Sequence, residues 1–178
     1  MHNRSVSRLF SFPNPVNEVA ARTVAAGVFA LCLATLIFRT QWLLWPLAYG
    51  FVARVATGPK LSPWGFVVTR FLIPKMSWEP KLVPGPPKRF AQAIGAVLSV
   101  GAVAAFLLGT PTVSWVVVGL IAAAASLEAF AGICLGCIIF GRLQAIGLIP
   151  ASVCEACNNL SLRTSRAASL SIEADSSR

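Results

Sequence analysis

The chain has 178 residues, a one-domain length, of which 56% are hydrophobic and only 12% charged, with a net charge of +9. Soluble domains carry about 25% charged residues, and here the mean hydropathy is +0.74. An ordinary globule in water is therefore excluded, and a bilayer is the natural solvent. The surplus of Lys and Arg has its commonest cause in the positive cytoplasmic loops of a membrane protein. No aromatic–basic motif accompanies it, so nucleic-acid binding is set aside.

Residues 1–16 form a polar, basic lead-in. Asn17 then offers an N-cap and Glu18 an acid in the first turn. From 19 to 38 the chain is apolar, interrupted early by Arg22 and Thr23, and about 20 such residues cross a bilayer. The stretch exceeds a signal-peptide core and no small-residue cleavage site follows, so it reads as a retained first span. A tight "RTQ" connection leads to a second span over about 42–56, which carries Pro46, Gly50 and Arg54. Proline is tolerated there when neighbours satisfy the freed carbonyl.

After "TGPKLSP" the apolar stretch 62–73 is too short to cross, and with Arg70 on it reads as an interfacial helix. Residues 74–89 are proline-rich and basic, hence a loop. A third span covers about 90–108, "GTPT" turns the chain, and a fourth covers about 113–140. The fourth is longer than a crossing requires, so it is expected to tilt or protrude. Residues 151–178 are Ser-rich and polar, a tail expected to be disordered. The domain 17–150 is thus an all-α, polytopic four-helix bundle. Small residues at Gly95, Ser99, Gly101, Ala125, Gly132 and Gly136 would let its helices approach closely, or serve a homodimer instead.

Four crossings place the N-terminus, the 57–89 loop and the C-terminus on one side. That side collects nearly all the Lys and Arg, and the other has only Arg39. The expectation is an inner-membrane protein with both termini cytoplasmic. In a continuous fourth helix, Cys134 would lie about 30 Å from Ser114, near the cytoplasmic interface.

Three groups of residues could carry chemistry. Cys134 and Cys137 form a CxxC, a spacing used for redox exchange and for metals. On a continuous helix the pair lies toward the C-terminal end, where the dipole opposes a thiolate unless Arg142 or a break at Gly136 or Gly141 compensates. With Cys154 and Cys157 the pattern becomes C-x2-C-x16-C-x2-C, whose literal spacing fits a zinc ribbon. Zinc is thus the one cofactor considered, against none. Glu128 is the one acid inside a span, at a depth matching Arg54, with Arg22 nearer the cytoplasmic face. A Glu128–Arg54 pair is expected, with Arg22 as second choice. Cys32 reads as a small apolar packing residue.

"FPNPVNEVAAR" (12–22), "GPKLSPWGFVVTRFLIP" (58–74), "KLVPGPPKRFAQAIG" (81–95) and "LEAFAGICLGCIIFGRLQAIGLIP" (127–150) together resemble the bacterial membrane family numbered 4395 among domains of unknown function. The resemblance implies a multi-span domain whose late helix bears Glu128, Cys134 and Cys137. It also implies a link with thioredoxin-like or sulfurtransferase proteins, and hence a thiol or sulfur role. Cys154 and Cys157 lie beyond the resembling stretches.

Three functional expectations follow. In the first, Cys134 and Cys137 exchange electrons or sulfane sulfur at the cytoplasmic face with a thioredoxin-like or sulfurtransferase partner. In the second, a small-solute carrier uses Glu128 and Arg54. In the third, a non-catalytic scaffold holds a four-cysteine metal clip.

Overall fold

A computed structural model describes residues 16–75 and 82–149. The lead-in and the tail, Cys154 and Cys157 with it, lie outside the described residues. The chain divides into two compact units, Met1–Ile139 and Phe140–Arg178. The first holds everything described below except the last residues of the final helix, 140–145.

The described chain is mostly helical. A short strand β1 (Val16–Asn17) leads into α1 (Glu18–Phe38), and Asn17 accepts a hydrogen bond from the Val19 N–H at 2.9 Å, capping the helix as its side chain allows. Arg39, with φ of 48°, ends α1 in the left-handed region. A single 3₁₀ turn precedes α2 (Leu44–Thr57). Next comes α3 (Pro63–Val67), which has Pro in its first turn and Ser62 as its N-cap, and which continues through a wider turn (Val68–Leu72) to Ile73–Lys75. Strand β2 (Leu82–Val83) pairs antiparallel with β1, Val16 opposite Val83.

α4 runs over Gly85–Leu107, and α5 over Pro111–Ser126. The expected loop over 74–89 therefore ends early. Prolines at the start of a helix give up no hydrogen bond, so "GPPKRF" opens α4 and carries Lys88 and Arg89 into it. The expected single helix over 113–140 is also corrected. α5 passes into a π-helical turn (Leu127–Ala131) and stops at Gly132, and a separate helix α6 (Leu135–Ala145) begins.

Three helical stretches are long and apolar enough to cross a membrane: Glu18–Phe38, Gly85–Leu107 and Pro111–Ala131. Their outer faces, and the ends beside them, expose Phe38, Trp42, Val97, Leu107 and Leu108. Such continuous apolar exposure suits lipid and would aggregate in water. Inside, α1, α2, α4 and α5 meet over Val28, Leu47, Phe51, Ala102 and Val118, with Cys32 fully buried among them as a packing residue. A second patch joins Ala20 and Val24 of α1 to Val68.

Glycines set the closest approaches. A Cβ on Gly95 would stand 2.2 Å from the Phe51 ring, so α2 and α4 meet only because that carbon is missing. Gly101 faces open space. Gly95→Leu should therefore lower the stability of the detergent-purified protein by about 1–3 kcal/mol, the usual cost of overpacking. Gly101→Leu should leave thermal unfolding unchanged. Equal losses from the two would contradict this packing.

Candidate functional site

The site is built where α5 ends. Gly132 has φ of 69°, a conformation that glycine adopts without strain, and the N–H groups of Gly132 and Ile133 both turn back to the Leu127 carbonyl. The next carbonyls are taken by Arg22 of α1. Its Nε and Nη2 donate to the Ala129 oxygen at 3.3 and 3.2 Å, and Nη2 also donates to the Phe130 oxygen at 3.0 Å. A guanidinium on the exposed carbonyls of a helix end satisfies them and opposes the negative end of the dipole. Arg22 is thus the clamp on the break, not a partner reaching into the bundle.

Beyond the break, the Cys134 carbonyl accepts the Ile138 N–H at 3.1 Å, the first hydrogen bond of α6. Cys134 therefore stands at the N-cap of a helix, and Cys137 is in its first turn. The expectation that the dipole opposes a thiolate is reversed. The side chain of Cys134 receives hydrogen bonds from the Cys137 thiol and backbone N–H. The Cys137 contact holds the Cys134 thiol below the ordinary cysteine range, at about 7, against the opposing effect of burial. The same contact and burial push Cys137 up. Both thiols are free, Cys134 nearly buried and Cys137 half-buried.

α6 does not continue the line of α5. A Cβ on Gly136 would lie 2.4 Å from the Ala91 side chain, so the first turn of α6 sits tightly against α4. Leu120 and Ala124 of α5 border the same cavity, about 290 Å³, as Leu135 and Ile139 of α6. On a straight helix Leu120 and Ile139 would be about 28 Å apart. The cavity is almost wholly apolar, and its polar border is Gln92, Glu128 and Cys134.

Glu128 is ion-paired, but to Lys88 of α4, at 2.5 Å, and not to Arg54. Both side chains are largely buried. Arg54 instead donates to Gln92 Oε1 at 2.9 Å and to Ser62 Oγ at 3.3 Å, and lies over the Phe51 ring. The reason is register. With α4 beginning at Gly85, Lys88 enters the bundle at the level of the α5 end and meets the acid first. Lys88 is the functional residue that the sequence reading misses, because a proline-rich, basic stretch reads as a loop. The signal was present in Pro86 and Pro87, which start helices rather than end them. Gly132 is the second omission. A glycine one position past a helix end is the commonest way to stop it.

The chain thus presents a helical, membrane-type scaffold with a dithiol at a helix start. It matches the family described as Domain of unknown function (DUF4395) over residues 16–145, and the chain belongs to that family. No curated protein and no solved structure shows significant similarity to it. Among the described residues, no group of three or more His, Cys, Asp or Glu stands together as a metal site.

With Cys134 held at about 7, a large share of it is thiolate at neutral pH. Alkylation of Cys134, followed by mass spectrometry of its peptide, should reach half its maximal rate near pH 7 and level off above it. An unperturbed thiol would still be gaining at about pH 8.5. Cys137→Ala should move the midpoint upward, since it removes the largest contributor. A midpoint in the ordinary range for both proteins would contradict the assignment.

Proposed function

We propose that this chain is a membrane thiol-exchange protein working through Cys134 and Cys137. The observation that carries the reading is the break at Gly132. It turns a thiol pair at the wrong end of a helix into one at the favoured end. In the proposed topology α2 supplies the fourth crossing, since the helical stretch 41–57 reaches about 25 Å. α3 lies at the headgroups, both termini face the cytoplasm of an inner membrane, and the polar tail extends there. The CxxC then lies at the cytoplasmic interface, within reach of a soluble thioredoxin-like or sulfurtransferase partner.

The exchange balances as follows. The Cys134 thiolate attacks one sulfur of a partner disulfide, forming a mixed disulfide and releasing the partner's second sulfur as a thiolate. Cys137 gives its proton to that leaving thiolate or to water, and attacks the Cys134 sulfur. A Cys134–Cys137 disulfide forms, and the partner leaves with two electrons as a dithiol. A dithiol partner drives the reverse. Cys134 is nearly buried, so approach follows the half-buried Cys137 and the exposed Ile133 and Leu135 beside it.

The test is a trap. With Cys137→Ser, incubation with an oxidised thioredoxin-like protein should accumulate a mixed disulfide through Cys134, absent in Cys134→Ser and cleared by dithiothreitol. Equal adducts in Cys134→Ser and Cys137→Ser, or none in either, would sink the reading.

A further inference from the structure

Among the described residues, the Lys88–Glu128 pair leaves the buried Arg54 without a carboxylate of its own. Arg54 is 6% exposed. Among the described residues no carboxylate reaches it at ion-pair distance, and the acid whose field it feels, Glu128, is bonded to Lys88. Its partners among the described residues are neutral: the Gln92 amide, the Ser62 hydroxyl and the face of Phe51. Removing a guanidinium from water without an opposite charge is costly. At Gly50 an added Cβ would lie 3.4 Å from Arg54 Nη1, at the near edge of ordinary contact.

Arg54 borders a cavity of about 170 Å³, separate from the one beside Cys134. Its polar border is Asn17, Arg54, Thr69, Lys88 and Gln92, with no acid. These groups are mostly donors in what they have left to offer. Asn17 Oδ1 already accepts from Val19 and Gln92 Oε1 from Arg54, so each presents its amide N–H groups. Lys88 and Arg54 have more N–H groups than bonds. Most of the cavity's lining is apolar, but Arg54 and Lys88 face the single carboxylate of Glu128, which leaves one surplus positive charge at its border. That charge and the free N–H groups beside it are complementary to negative charge carried on several oxygens.

We infer that the cavity bounded by Asn17, Arg54, Thr69, Lys88 and Gln92 is a binding site for one tetrahedral oxyanion group, of the phosphate or sulfate type. The oxygens take the free N–H groups of Arg54, which forms the floor of the site, and of Asn17 and Gln92 at its wall. The Lys88 ammonium adds charge while holding Glu128. The same chemistry comes from two sources, a dissolved oxyanion or the phosphate of an anionic lipid headgroup. The site stands independently of the thiol reading, since neither cysteine borders it.

The full chain purified in a neutral detergent is titrated with sodium sulfate and with phosphate at constant ionic strength, following thermal unfolding and tryptophan fluorescence. In parallel it is reconstituted into phosphatidylcholine discs with or without phosphatidylglycerol, and retained lipid is counted by native mass spectrometry. Saturable, one-site stabilisation by sulfate or phosphate assigns a dissolved anion. One retained phosphatidylglycerol without that response assigns a headgroup. In either case Arg54→Met should weaken binding at least tenfold, and Arg54→Lys less. Asn17→Ala, which keeps the buried charge and costs only a helix cap, should weaken it several-fold even where Arg54→Met does not fold. No saturable response in either format, or one unchanged by Asn17→Ala, overturns the site.

Discussion

Everything distinctive about this molecule depends on one guanidinium. Arg22 projects from the second turn of α1 and takes the Ala129 and Phe130 carbonyls at the end of the α5 stretch. A helix cannot end inside a packed scaffold unless its last carbonyls find donors. Arg22 supplies them at the depth where Gly132 supplies the left-handed turn. Together they release the chain from α5 and allow α6 to start afresh, and the start of α6 is where Cys134 stands. The charge of Arg22 also opposes the negative end of the α5 dipole close to the thiols, which leaves the positive start of α6 as the nearer influence.

The neighbouring ion pair depends on the same geometry. Glu128 sits in the π-helical turn, where the wider spacing rotates it relative to a regular helix, and Lys88 meets it from the first turns of α4. Burying both charges is tolerable because they are buried together. Around this pair the scaffold holds two hollows, both mostly apolar in lining. One borders Cys134, the other borders Arg54 and Lys88, and Gln92 borders both. The close contacts of Gly95 with Phe51 and Gly136 with Ala91 all border the first hollow.

Much of the scaffold is legible in the sequence, because hydropathy and span length report the solvent directly. The apolar run of α1 has the length of a crossing, and Asn17 and Glu18 mark its start. The small residues at 95 and 136 announce close contacts, without saying which neighbour they meet. Most of what is not legible follows from one assumption, that an apolar run continues one helix. "LEAFAGICLGCIIF" has no proline and no polar break, so its hydropathy is uniform through Gly132 although its backbone is not. Extending the helix through it misplaced the thiols relative to the dipole. It also placed Glu128 opposite Arg54 by depth alone, when the partner is set by which side chain enters at that level. The role of Arg22 could not be read at all, since its acceptors are backbone carbonyls 107 and 108 residues away.

The central claim is therefore a matter of backbone course between α5 and α6, and a distance tests it most directly. Spin labels at Leu120 and Ile139, both on exposed positions, report whether the chain turns back at Gly132. A turn that brings both residues to one cavity predicts a pulsed electron-resonance distance far short of the helical value. A distance near 28 Å, the value for nineteen residues of unbroken helix at about 1.5 Å each, would restore the straight helix and remove the basis for a thiolate at Cys134.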